Sequence, residues 1–129
     1  MRKDLLSWLT TALVMTVLDL LWLGPIAHDF YAKAMGPLLS PSPNLLAAGA
    51  FYLFYVSSVW WGAVRWSESP AAAFKRGAAL GCFAYGVYDL TNWAVIAGWP
   101  GYLVPIDWLW GTVLTGSCCA VGRVVRQKV

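Results

Sequence analysis

Four stretches of this chain are apolar over the length needed to cross a hydrocarbon core: Leu5 to Leu23, Leu45 to Val64, Ala71 to Ala97 and Tyr102 to Val121. An α-helix rises about 1.5 Å per residue, so a core of about 30 Å takes roughly 20 such residues. In lipid a backbone amide finds no water, and a helix satisfies its amides within its own segment. Little chain is left over for anything else. The sequence therefore predicts an all-α integral membrane protein, a bundle of four transmembrane helices forming one polytopic domain over residues 1–129. Charge content agrees, since 12% of the residues are charged where a soluble domain carries about 25%.

Turn residues divide the runs. Gly24-Pro25 closes the first, and Ser40-Pro41-Ser42-Pro43-Asn44 leads into the second. Ser69 is placed to cap the third, with Pro70 at its first helical position. Gly98-Trp99-Pro100-Gly101 is a tight turn, which makes the third and fourth spans antiparallel neighbours. The segment 25–36, PIAHDFYAKAMG, reads as an interfacial helix or lid. Pro25 suits its start, Asp29 and Lys33 are spaced as an i,i+4 pair, and Ile26, Phe30 and Ala34 share a face.

Lys and Arg set the orientation, because cytoplasmic flanks carry an excess of them. Arg2, Lys3, Arg65, Lys75, Arg76, Arg123, Arg126 and Lys128 fall on one side of the four spans and Lys33 alone on the other. Both termini are therefore expected in the cytoplasm. These flanking charges also account for the pI of 8.9 without a nucleic-acid partner. A cleaved signal peptide shares the basic start, and Ala32-Lys33-Ala34 superficially fits a cleavage site, but the apolar region is too long and contains Asp19. Cys82, Cys118 and Cys119 lie within spans, lack metal-ligand or redox spacing, and read as small apolar residues. No motif for a cofactor or metal stands out.

The carboxylates are the anomaly. Asp19 precedes the end of the first span by roughly 8 Å, Asp89 lies roughly 13 Å below the Gly98 turn, and Asp107 roughly 8 Å along the fourth span. With the termini inside, all three fall in the outer half of the bilayer. A charged group within a span costs on the order of 3 kcal/mol, so the three should face inward. Helical spacing supports this: Gly77, Gly81, Tyr85, Asp89 and Asn92 form one stripe, as do Asp107, Trp110, Gly111, Leu114 and Cys118, and Trp8, Ala12, Met15, Asp19 and Trp22. The GAALG of residues 77–81 is a GxxxG pattern that lets a second helix approach, from the same chain or from another copy in a homo-oligomer.

Tyr52 and Tyr55 on the second span fall level with the acids, where their hydroxyls can donate to carboxylates. No basic residue lies in the outer half of the spans, so protons, tyrosines, Asn92, water, a bound cation or a cationic ligand must meet the charge. The pattern describes a pocket, apolar and aromatic with a few convergent polar groups. Asp89 stands at its centre with Asn92, Tyr85 and Tyr88, and Asp19 and Asp107 lie opposite. Tyr88 is one residue off the stripe. Trp22, Trp93, Trp108 and Trp110 are candidate walls, although each also fits plain packing. Trp8, Trp60, Trp61, Trp66 and Trp99 read as interface anchors. His28, the one histidine, reads as a solvated loop residue before it reads as a proton shuttle.

VLDLLW at residues 17–22 echoes VYDLTNW at 87–93, which would suit two parallel helical hairpins, one duplicated from the other. Taken together, DLLWLGPIAHDFY, AFYLFY, GAALGCFAYGVYDLTNWAVIAGWP and PIDWLWG resemble a family of small bacterial membrane proteins known as domain of unknown function 2177. The resemblance covers nearly the whole chain. It implies a four-span inner-membrane fold, supplies no catalytic residues, and leans toward lipid.

Three functional readings follow. Binding of a small amphipathic or lipid-like molecule, for lipid handling or transport, is the leading one. An intramembrane acid/base enzyme, isomerase-like, would use Asp89 and Asp107, with Asp19, on a lipid or isoprenoid double bond. The plain alternative is interhelical hydrogen-bond glue, each bond worth about 1 kcal/mol. Proton or cation conduction is disfavoured, because no aspartate continues a relay through the inner half of the spans.

Overall fold

The computed structural model describes residues 1–129, and its regular elements are all helical. Helix α1 runs Arg2–Leu21, α2 His28–Met35, α3 Leu45–Val59, α4 Pro70–Val95 and α5 Val104–Lys128. The expected caps form: Asn44 accepts from Ala47 N at 3.0 Å and Ser69 from Ala72 N at 3.1 Å, with Pro70 at the start of α4. Each side chain satisfies one amide that the helix itself leaves open.

One boundary differs from expectation. Gly24-Pro25 does not end the first helix, because Trp22–Ile26 continues it as a π-helical turn in which Ala27 N bonds to Trp22 O at 2.7 Å. Pro25 has no N–H to donate, and the wider turn absorbs it. α2 therefore begins at His28 rather than Pro25, and Asp29 and Lys33 on it form no ion pair. A second π-helical turn, Trp60–Val64, extends α3.

Three helical stretches are long and apolar enough to cross a membrane: Arg2–Ile26, Leu45–Val64 and Val104–Lys128. α4 has the length, 26 residues, but its glycines, tyrosines, Asp89 and Asn92 dilute its apolar character.

α5 is the hub. α4 packs along it in one antiparallel register, Gly77 opposite Cys119, Gly81 opposite Thr115, and Tyr85 opposite Gly111. A Cβ on Gly77 would lie 2.6 Å from Cys119 Sγ, and one on Gly81 would lie 2.5 Å from Gly111 O. Only glycine allows backbones this close. The GxxxG face at Gly77 and Gly81 is therefore packed on α5 within the chain.

α1 packs on another side of α5, also antiparallel. Arg126 of α5 donates from Nε and Nη2 to Asp4 Oδ1 at 3.0 and 2.7 Å. Thr11 sits over Gly122, and Met15 joins Leu114, Cys118 and Val56 in the core. α3 is held at the end nearer the chain termini, where Trp60 Nε1 donates to Ser7 Oγ at 2.8 Å and Trp8 Nε1 to Ser57 Oγ at 3.1 Å. Beyond Tyr52 it leaves the bundle: Leu45 is 79% and Leu46 84% exposed. The two hairpins thus differ, tight for α4 and α5 and splayed for α1 and α3, so the echo between residues 17–22 and 87–93 has no matching pair of helix contacts.

Candidate functional site

The α4–α5 register carries on past Tyr85 and Gly111 to place Asp89 against Asp107. Asp89 is 0% exposed, and its carboxyl lies within hydrogen-bonding reach of that of Asp107. Both oxygens of Asp89 receive no hydrogen bond. Two ionised carboxylates are acceptors only, whereas a proton between them makes one a donor. Asp107 has a second partner and a favourable position. Tyr31 Oη donates to its Oδ1 at 2.6 Å, and it stands in the first turn of α5, at the positive end of the helix dipole.

Tyr31 comes from α2, and its role is absent from the sequence reading. Trp22 Nε1 donates to its hydroxyl at 3.1 Å, while Phe30 beside it meets Tyr102 edge-on with ring centres 5.9 Å apart. Burial, and then the bond to Asp107, push the Tyr31 phenol above its ordinary range, which keeps it a donor. α2 is thereby pinned across the end of the bundle. No helical stripe contains residue 31, so only an aromatic hydroxyl in the lid segment hinted at this. His28, on the same helix, is exposed.

Asp19 lies on the other side of a tryptophan stack. Trp22 and Trp110 are parallel, 9° apart with ring centres at 4.5 Å, and Trp110 Nε1 donates to Asp19 Oδ1 at 3.2 Å. The continuous chain is therefore Asp89, Asp107, Tyr31, Trp22, Trp110, Asp19. Asp19 is partly exposed, so two of the three carboxyls meet directly and the third joins through aromatics.

The tyrosines divide in the same way. Tyr55 Oη bonds to Thr115 Oγ1 at 2.7 Å, and the Tyr52 hydroxyl is buried without a partner. The Tyr85 hydroxyl makes no hydrogen bond, and its ring packs on Gly111 and meets Tyr55. Tyr88 is 54% exposed and meets Trp99 edge-on. Asn92 is half-buried beyond Asp89.

Two expected walls stand elsewhere. Trp108 packs on Gly86, one turn along α4 from Asp89, and donates to Cys82 O at 2.8 Å, so its indole lies in the α4–α5 seam. Trp93 lies over Gly101 at the tight turn and is otherwise exposed at 54%.

Where α3 departs from α4, a groove opens. A cavity of about 350 Å³ lined by Phe51, Tyr55, Ala84, Tyr85 and Tyr88 continues, through Tyr55 and Ala84, into one of about 440 Å³ along Phe54, Leu80, Phe83 and Val87. Tyr85 lines the groove and also packs on Gly111 in the α4–α5 seam, one turn along α4 from Asp89.

Long apolar helices around a polar cluster define a helical membrane protein. A family model described as "Predicted membrane protein (DUF2177)" matches residues 4–124, and the chain belongs to that family. Neither a curated protein nor a solved structure matches it.

Proposed function

We propose that this membrane protein binds a small amphipathic or lipid-like molecule in a pocket reached sideways from the bilayer, its tail in the α3–α4 groove and its polar end at Tyr85, among the aspartates. In this reading α4 is a fourth span, both termini lie in the cytoplasm, and the pocket occupies the outer half of a bacterial inner membrane. The observation that carries the reading is the groove itself, because α3 could close on α4 and bury more surface, yet it stands off. Its two cavities, about 350 and 440 Å³, fall within the range of small-molecule sites, about 300–1,000 Å³, and show their aromatic and apolar walls.

Ala84→Trp tests it. Position 84 is exposed in the groove and faces away from α5, so an indole there fills the cavity and leaves the α4–α5 seam intact. Protein purified from membranes in mild detergent should carry a co-purifying amphiphile by native mass spectrometry, and the variant should lose it at least about tenfold. Equal occupancy in both rejects the groove. Orientation is checked separately: a fluorescent protein fused after Val129 should mature, and an alkaline phosphatase at the same point should stay inactive.

The facing of Asp89 and Asp107 favours a second reading, an acid/base enzyme acting on a lipid double bond. Burial of Asp89 weighs against it, since substrate would have to part α4 from α5. Turnover of a lipid extract, lost in Asp107→Asn, would establish it. Hydrogen-bond glue suits Asp19 better than Asp89, which has no donor.

A further inference from the structure

We infer that α2 is a lid over the Asp89–Asp107 pair, latched by the hydrogen bond from Tyr31 to Asp107 and free to swing between Gly24 and Gly36, so that water reaches the two acids only when it lifts. The lid is separate from the groove, which opens on the α3 side of α4. α2 is held lightly. It buries none of its own residues, and its exposed Asp29 and Lys33 form no ion pair. What keeps it down is local: Tyr31 Oη donates to Asp107 Oδ1 at 2.6 Å, Trp22 Nε1 donates to the same hydroxyl at 3.1 Å, and the Phe30 ring meets Tyr102 edge-on at 5.9 Å. Segments with few buried apolar contacts open locally at far less cost than core helices do.

Both ends of the lid are built to turn. Gly24 lies in the π-helical turn, where Pro25 has no N–H to donate, and a Cβ on it would meet nothing within 4 Å. At the other end Gly36 takes a φ of +44° with the same open space around it, and residues 36–44 are all exposed. Glycine adopts a positive φ without strain, so the chain can change direction there. The floor beneath is fixed by comparison. Trp22 stacks on Trp110 with ring centres 4.5 Å apart, and α4 and α5 are locked in their glycine register. With the lid down Asp107 is 9% and Asp89 0% exposed, and both Asp89 oxygens are unpartnered. Lifting it exchanges a phenol for water at Asp107 and opens the way for water to donate to Asp89. The latch and the unmet demand of the pair therefore oppose each other, which is the balance a lid needs.

The test uses the full chain in nanodiscs of phosphatidylcholine, a water-soluble carbodiimide with glycinamide as the probe, and peptide mass spectrometry to read each carboxyl. In wild type Asp107 should be modified measurably, but at least about tenfold more slowly than the exposed Asp29. Tyr31→Phe removes the latch and keeps the ring, and should speed modification of Asp107 at least about fivefold. Phe30→Cys with Tyr102→Cys, joined by a short reducible bis-thiol reagent, should slow it at least about tenfold below the unjoined protein, and reductant should restore it. The native thiols, buried or half-buried within α4 and α5, do not compete. Asp107 unmodified in wild type and in Tyr31→Phe alike would make α2 a fixed cap and overturn the lid. Equal rates with the bridge made and broken would mean that water arrives another way, and overturn it too. So would a rise in Tyr31→Phe that is matched at Asp4, paired with Arg126 at the other end of the bundle, because the whole fold would then be opening.

Discussion

The substitution Gly111→Ala is expected to destabilise the detergent-solubilised protein more than any other single methyl added to it. A Cβ at position 111 would coincide with the ring of Tyr85, contacting Cγ, Cδ1 and Cδ2 at once. The ring cannot swing aside freely, because it is packed on Gly111 of α5 and Tyr55 meets it edge-on with ring centres 6.3 Å apart. Overpacking of a close-packed core costs about 1–3 kcal/mol, and the upper end applies where the obstacle is an aromatic ring pinned on several sides. Thermal unfolding followed by tryptophan emission measures it. Gly24→Ala is the control, with nothing within 4 Å of the added carbon, and should leave the transition where it is. Pairing Gly111→Ala with Tyr85→Ala should recover part of the loss, since the two sites are in direct contact and their effects should not add. A Gly111→Ala protein as stable as the parent would mean that the helices are further apart than described.

The second large effect has the opposite sign. Asp89→Asn should leave stability unchanged or raise it, by up to about 1–3 kcal/mol, the range for relieving an unsatisfied buried polar group. Asp89 accepts no hydrogen bond and faces another acid, whereas the asparagine amide can donate to Asp107 with almost the same shape. Glue predicts a fall instead, because the residue would then be replaced at a working contact. The same variant should carry the co-purifying amphiphile of the wild type at a changed level by native mass spectrometry if the polar end of that molecule reaches the acid pair. A drop in melting temperature with binding preserved would return Asp89 to a structural role.

Several parts of this molecule were readable from residue order because they are local. Helix-forming apolar runs, the Asn44 and Ser69 caps, and the tight turn before α5 depend on neighbours within a few positions. The inward facing of Asp89 and Asp107 was also readable, since a period of 3.6 residues puts them on the stripes of Gly81 and Gly111. Other expectations failed for want of a partner. Trp93 and Trp108 lie near the aspartates in sequence, but Trp93 settles over Gly101 at the turn and Trp108 over Gly86, places that those glycines decide. Gly24-Pro25 looked like a helix end because a proline breaks the regular ladder; that a wider turn would absorb it depended on what followed.

Sequence alone determined that this chain makes long apolar helices, that Asp89 and Asp107 face inward, and that Gly77 and Gly81 want a close neighbour. Tertiary structure decided who the neighbour is and what the acids meet. α5 presents its own glycines and Thr115 to α4, so those two helices close in a single register and set Asp89 against Asp107, while α3, bulky with Phe51, Phe54 and Tyr55, stands off and leaves the groove. The reason is range: a helical face is fixed by bonds between residues four apart, whereas the choice of partner depends on the fit of two surfaces far apart in the chain.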